Sequence, residues 1–462
     1  MAGAITQHLG VAEATGCKMA EHMKRESIAE RRDYGRNLRQ AVHRVDQAVW
    51  TPHARRHDPV DVILRSNAER LPALIPIKMG RMAQSPFGFF RGAAPVMAAD
   101  LAMLPKTGLR VQMCGDAHVR NLGAFAAADG HLVFDLNDFD ETIPGPWEWD
   151  LKRLAASFVL AGQGAGDSKR ECDDAVRDLV RSYREGMDRF AGMKVLELLR
   201  CEVRRGTRVG PVHDVLAKAE RATPERTLEK LTVPTKDGGR RFADKKPLLE
   251  HLPDSTARNV LAALIPYRET LCAARQLVLD AYQPVDVAFK VVGTGSVGTR
   301  DYVVLCFGNG FDDPLFLQVK EEMPSCYSPY LPEVKPFPHE GRRVAEGQYR
   351  MQTVSDPLLG WTTIDSRHFL VRQLADHKAA IDPAELKGTA LREFAAVSGE
   401  ILAKAHARTG DAAAIAGYCG KSDKLDQAIS KFAFSYAEQV SQDHARFVEA
   451  VRQGRVKAIS ES

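Results

Sequence analysis

The residues best equipped for chemistry lie in Cys114-Gly115-Asp116-Ala117-His118-Val119-Arg120-Asn121, directly after a strand-like run at Leu109–Met113. Asp116 and Asn121 stand five residues apart. That spacing suits phosphoryl transfer, in which an Asp takes the proton of an attacking hydroxyl. An amide oxygen one short loop away then helps hold a divalent cation that bridges the phosphates. A dense acidic set follows in Phe134-Asp135-Leu136-Asn137-Asp138-Phe139-Asp140-Glu141. Its carboxylates repel one another if packed together, which favours a cation among them. Asp138 leads as the second metal ligand, because the Asp-Phe order with Phe139 is that of a phosphotransferase metal segment. Asp135 and Asp140 stay open. The plain alternatives are a solvated acidic turn and, for Asp116, an ordinary turn residue beside glycine.

A second candidate set begins far downstream, at Val292-Gly293-Thr294-Gly295-Ser296-Val297-Gly298. In a dinucleotide-binding fold such glycines lead from a strand into a helix. Here Gly298 leads into Thr299–Leu305, a β-branched run that reads as a strand. Strand, glycine loop and strand form a hairpin whose backbone N–H groups can cover phosphates. Gly293, Gly295, Ser296 and Gly298 are then the phosphate cover; a hairpin without ligand is the alternative. The next strand-like run ends in Phe316-Leu317-Gln318-Val319-Lys320, and a lysine there can pair with the phosphates. An acidic partner on the following helix would orient it, with Glu346 leading and Glu333, Glu321 and Glu322 open. A strand-end lysine in water is the bland reading.

The elements that must position these groups divide the chain into four parts. Residues 1–108 read as an N-terminal helical extension followed by a segment interrupted by Pro and Gly. Residues 109–284 hold the loop, the strand-like run Leu132–Phe134 and helical patterning from Trp149, where Leu151, Leu154, Ala155 and Phe158 share a face. Thr232–Lys246 reads as an exposed loop. Residues 285–378 are β-rich, with strands expected at Val287–Val292, Tyr302–Phe307, Leu315–Val319 and Phe369–Leu374. Residues 379–462 return to helix, including Leu391–Ala407. The fold class expected is α+β.

Of the 462 residues, 64 are basic and 60 acidic. A net charge of +4 argues against a nucleic-acid-coating protein. Basic runs such as Lys24–Arg25 and Arg240–Arg241 read as solvated faces. The eight cysteines, from Cys17 to Cys419, are scattered without metal or disulfide spacing. No long apolar stretch suggests a membrane span or signal peptide, so a reducing cytoplasm is expected.

Cys114–Asn121 resembles the His-Gly-Asp-x-His-x-x-Asn loop of aminoglycoside phosphotransferases and choline kinases, with Cys114 in place of the His. More widely, Ser85–Gly92, Cys114–Gly123, Phe134–Ser157, Glu346–Gln352 and Leu402–Gly410 resemble an uncharacterised bacterial family, domain of unknown function 2252, which implies no activity. The kinase resemblance implies a protein-kinase-like two-lobed fold, ATP and Mg²⁺ as cofactors, and a small-molecule hydroxyl acceptor. Its element order is reversed here, since Gly293 and Lys320 follow Asp116. A circular permutation explains the reversal, and Glu400–Ala407 resembles the helix that precedes a kinase catalytic loop. Two unrelated domains are the rival account. A metal-dependent phosphoesterase using Asp116, His118, Asn121, Asp138 and Asp140 is one alternative function; a nucleotide-binding pseudokinase is another.

Overall fold

Proline placement sets the first helices. The computed structural model describes residues 26–51, 57–202, 210–236, 238–291, 293, 295–374 and 377–459. Cys17, Lys24, Arg25, Val292 and Thr294 lie outside them. Helix α1 (Ile28–Asn37) starts at a capping box between Ser27 and Glu30. Then come α2 (Pro59–Arg65), α3 (Ile75–Ala83), α4 (Pro86–Gly92) and α5 (Ala94–Ala102), each with Pro in its first turn. Proline is tolerated there because its missing N–H has no intrahelical partner to lose. The segment read as interrupted is therefore mainly helical, its prolines marking starts.

Strands β1 (Arg110–Met113), β2 (Leu122–Ala126), β3 (Leu132–Leu136) and β4 (Ile143–Pro146) follow. They pair antiparallel, β1 with β4 and β2 with β3. The Leu-Gly-Ala-Phe-Ala of β2 lacks β-branched residues, so propensity gave no hint of it. Two long helices come next, α6 (Trp147–Ala165) and α7 (Lys169–Ala191). Within Thr232–Lys246, a small hairpin pairs Thr232–Pro234 with Arg240–Phe242 and buries Phe242. That segment is structured because one large aromatic found a core.

The β-rich part forms one six-stranded antiparallel sheet. Its strands are β5 (Leu249–His251), β6 (Gln283–Lys290), β7 (Asp301–Phe307), β8 (Pro314–Glu321), β9 (Gly360–Ile364) and β10 (Arg367–Gln373). Their spatial order is β9-β10-β8-β7-β6-β5, and helix α8 (Glu340–Met351) packs on β9 and β10. Alternation assigns the two faces. Val304, Cys306, Leu317, Val319 and Val371 face one core with Tyr267, whereas Val303, Leu305 and Phe316 face another with Phe242. A short strand, β11 (Ala379–Ala380), joins β2.

Helices α9 (Thr389–Thr409), α10 (Ala412–Cys419) and α11 (Lys424–Arg452) close the chain. They build the largest core with α6 and α7, in which Trp147 stacks on Tyr183 at 5.6 Å. Helix α1 is held close to α10, because Gly35 and Gly417 leave no room for a side chain between the two backbones. The architecture thus mixes helices with several antiparallel sheets. Among the described residues, no helix is long and apolar enough to cross a membrane.

Two contacts fasten α9 to the early strands. Its Thr409 hydroxyl accepts from Gln112 N of β1 at 3.2 Å, and its Lys404 is ion-paired with Asp135 of β3. Both side chains of that pair are almost wholly buried. Removing one member of a buried pair strands the other charge, typically costing about 3–5 kcal/mol. Lys404→Met should therefore lower unfolding free energy by about that amount in guanidinium titration, and adding Asp135→Leu should restore much of it.

Candidate active site

One face of α6 grips the loop that carries Asp116. Gly115 has φ +82°, and a side chain there would collide with the Glu141 carbonyl. The backbone N–H groups of Cys114 and Gly115 donate to Asp150 at 2.8 and 3.0 Å. Arg153 Nε donates to Asp116 Oδ1 at 2.7 Å, and Ser157 Oγ accepts from Val119 N at 3.2 Å. Positions 150, 153 and 157 fall on one helical stripe, so α6 supports the loop along its length. From α9, His406 Nε2 reaches Asp150 at 3.2 Å, and its Nδ1 meets Tyr183 Oη at 2.9 Å. Phe90 braces the other side of Arg153, with its ring 4.3 Å away and its carbonyl accepting at 3.1 Å.

Burial raises the pKa of Asp116, and Arg153 only partly offsets it. Burial, then Arg91 and Arg153, holds His118 well below the usual imidazole range, so its ring is neutral. His118 Nε2 lies 3.8 Å from Asp116 Oδ2, while Nδ1 is buried without a hydrogen-bond partner. Asn121 Nδ2 donates to the Asp116 carbonyl at 2.9 Å, which fixes the amide beside the carboxylate.

The lysine strand meets the acidic segment directly. Lys320, at the end of β8, bonds both oxygens of Asp140, 180 residues away in sequence. Glu322 lies 3.9 Å from the same ammonium. Burial works against the charge on Lys320, but Asp140 and then Glu322 outweigh it and keep the group protonated. Among the described residues Asp138 forms no ion pair, and Lys320 and Arg372 attract it only from farther away. Burial, and then Asp140, push its carboxyl up to about 7. Arg343 of α8 donates to the carbonyls of Thr142, Asp140 and Met323 at 2.6, 2.8 and 2.8 Å, tying the acidic segment to the end of β8.

One cavity of ≈ 100 Å³ lies between these segments, with Lys320 and Arg343 behind its wall rather than on it. Its wall includes Asp116, Asn121, Asp138 and Asp140 from the first half of the chain, and Gly293, Gly295 and Ser296 from the second. Gly298 sits just behind, at φ +95°, its carbonyl accepting from Leu71 N at 2.7 Å. Two expected residues are elsewhere. Asp135 is committed to Lys404 and does not line the cavity. Glu346 does not orient Lys320; it pairs with Arg342 at 2.6 Å and Arg350 at 3.1 Å on the outer stripe of α8. Four-residue spacing made those partners closer than any strand could be. Glu333 likewise pairs with Arg110 at 2.7 Å, and Glu321 with Arg300 and Arg367 at 3.1 and 2.7 Å.

Other wall residues lie outside the set that the sequence places in the site, although the Phe87–Arg91 cluster has two readings, packing or the lining of an acceptor pocket, with packing preferred. Arg70 enters from the turn between α2 and α3, Lys78 from α3 and Arg91 from α4. Arg70 also donates to the Val297 carbonyl at 2.7 Å, and Arg81 to that of Gly293. Asp150 and Arg153 could have been found, because with Ser157 they put three polar residues on one stripe of α6.

The donor set fits a magnesium-type cation. Asp138 and Asp140 offer carboxylates, Asn121 an amide oxygen, and six carboxylate residues line the cavity against Arg70, Lys78 and Arg91. Among the described residues, no three His, Cys, Asp or Glu side chains form a metal cluster by themselves. Magnesium does not require one, since it typically takes one or two carboxylates, substrate phosphates and water.

A family model described as an uncharacterized protein conserved in bacteria (DUF2252) matches residues 70–450. That span contains Asp116, Asp138, the glycine loop and Lys320. No curated protein and no solved structure matches the chain.

The raised Asp138 pKa has a testable consequence. The folded state holds its proton up to about pH 7, whereas the unfolded chain releases it near its ordinary value of about 3.9. Stability from this group is therefore full at low pH and is lost as pH rises between those values. Asp138→Asn should flatten that part of the pH dependence and raise the denaturation midpoint at pH 7.5. The check is urea titration of both proteins at half-unit pH steps; parallel curves would refute the assignment.

Proposed function

We propose that this chain, which belongs to the bacterial DUF2252 family, is an ATP- and Mg²⁺-dependent phosphotransferase with a circularly permuted, protein-kinase-like arrangement. One observation carries the reading: Asp116, Asn121, Asp138 and Asp140 share a cavity with Gly293, Gly295 and Ser296, while Lys320 bonds Asp140. Two segments with separate reasons to touch phosphates meet at one place.

The element order adds support. From β6 the chain runs strand, glycine loop, strand, lysine strand, helix and two more strands, as in a kinase small lobe. From β1 it runs loop with Asp116 and Asn121, two paired strands, and then Asp138. The permutation has a structural correlate at the junction it would join. Gly410, just past α9, lies so close to β1 that a side chain there would come within 2.7 Å of the Arg110 carbonyl.

In this reading Asp116 receives the proton of the acceptor hydroxyl, and Arg153 fixes the rotamer that presents its free oxygen. A base whose pKa is raised toward neutrality is better matched to that task than an ordinary carboxylate. The loop around Gly293 and Gly295 covers the phosphates with backbone N–H groups, and Lys320 supplies a protonated clamp. Asn121, Asp138 and Asp140 would hold Mg²⁺, which neutralises charge on the transferred phosphoryl group. A metal-dependent phosphoesterase would leave the glycine loop and Lys320 without a task.

The test is a thermal-shift titration with ATP and Mg²⁺. At 100 times Kd the wild type should gain ~2.7 kcal/mol by mass action, and Lys320→Ala or Asp138→Ala should weaken that gain. Asp116→Asn should keep the shift and lose about 10²- to 10⁴-fold in phosphoryl transfer. Binding without any transfer in the wild type would mark a pseudokinase. Absence of a shift in the wild type would refute the reading.

A further inference from the structure

Groups that touch only phosphates or a cation cannot tell one nucleotide base from another, so base selection has to be built elsewhere. Asp138 also lines a second cavity, of ≈ 190 Å³. Strand β2 gives this cavity Ala124 and Phe125, and α8 gives it Gln348 and Gln352. The two α8 amides have one possible orientation. Gln352 Nε2 donates to the Leu136 carbonyl, which can only accept, so Gln352 Oε1 must face Gln348. There it accepts from Gln348 Nε2 at 2.9 Å. Gln348 Oε1 is left buried with no hydrogen-bond partner. An unmet acceptor in the interior is costly, and this amide cannot turn over without breaking the bond to Gln352. Asp356 of the same wall is already satisfied, since its two oxygens accept from Leu358 N at 2.8 Å and Gln373 N at 2.6 Å. Asn137, also in the wall, lays its amide over Gly123, where a side chain would collide with Nδ2.

We infer that this second cavity holds the base of the nucleotide, and that Gln348 selects adenine by accepting a hydrogen bond from its exocyclic amino group. The inference rests on the phosphotransferase reading and assigns its base subsite. Because Asp138 belongs to both walls, one ligand can span them, with phosphates and Mg²⁺ in the first cavity and the base in the second. Phe125 and Ala124 supply apolar surface for the base to lie against. Adenine carries a ring nitrogen beside its amino group, and the Asn137 amide can donate to that nitrogen. Hypoxanthine and guanine have an oxo oxygen in place of the amino group. That oxygen would meet Gln348 Oε1 acceptor to acceptor, and the fixed amide cannot present Nε2 instead. A site that leaves its own buried polar group unpaired rejects a near-isosteric ligand strongly.

The experiment is isothermal titration of the full chain, in Mg²⁺, with ATP and with inosine triphosphate, whose base has the oxo group in place of the amino group. ATP should bind at least about tenfold more tightly to the wild type. Gln348→Leu should weaken ATP by about tenfold or more and change inosine triphosphate by less than about threefold, which brings the two affinities together. Should that variant not fold, Gln348→Met carries the same comparison. Inosine triphosphate binding the wild type as tightly as ATP overturns the inference, as does an unchanged ratio in a folded Gln348 variant. A folded variant that loses both nucleotides equally overturns it as well, because Gln348 then supports the site without reading the base. Failure of both nucleotides to bind the wild type removes the phosphotransferase reading instead, and the base subsite with it.

Discussion

The bond between Lys320 and Asp140 is the constraint on which the site's geometry depends. It joins the end of one sheet strand to an acidic turn 180 residues earlier, and Asp140 of the pair lines the small cavity. An ammonium and a carboxylate removed from water must be matched to each other or be costly to bury. This pair is matched, and Arg343 reinforces it by binding the carbonyls of Asp140 and Met323 on either side. The sheet and the early strands therefore cannot drift apart without exposing an unpaired charge.

A second layer of support is helical. Asp150, Arg153 and Ser157 turn the inner stripe of α6 into a set of fixed donors and acceptors for the Asp116 loop. Helix α9 closes the same network from behind through His406 and Lys404. Loops are usually the softest parts of a domain, but this one has its turn amides, its carboxylate and its far end each tied to a buried helix. A base that must meet a hydroxyl within hydrogen-bond reach needs that rigidity.

The strands of the large sheet were legible because Val303–Phe307 and Leu315–Val319 are β-branched or apolar runs bounded by glycine and acidic turns. The helix at Thr389–Thr409 was legible from its long apolar stripe. The gathering of Asp116, Asn121, Asp138 and the glycine loop could be argued from chemistry alone, since the roles expected of them converge on one reacting phosphate. Side-chain pairing was not legible. Asp135 and Asp138 are both acidic residues near one strand end, yet Lys404 reaches only the first. Glu346 looked like a lysine partner by its place after the strand, but helix geometry gave it Arg342 and Arg350. Local sequence also hid the helices α3, α4 and α5, because prolines in a first turn look like breaks when read without their caps.

Those N-terminal helices change what the site can accept. In contact with the glycine loop through Arg70, Leu71 and Arg81, they bring Arg91 and Lys78 to a wall that is otherwise acidic. Carboxylates from the Asp116 and Asp138 segments and from Glu321 and Glu322 share its wall with Arg70, Lys78 and Arg91, and Arg91 is close enough to Asp116 and Asp138 for attraction. The helical extension is therefore part of the cavity wall as well as part of the fold.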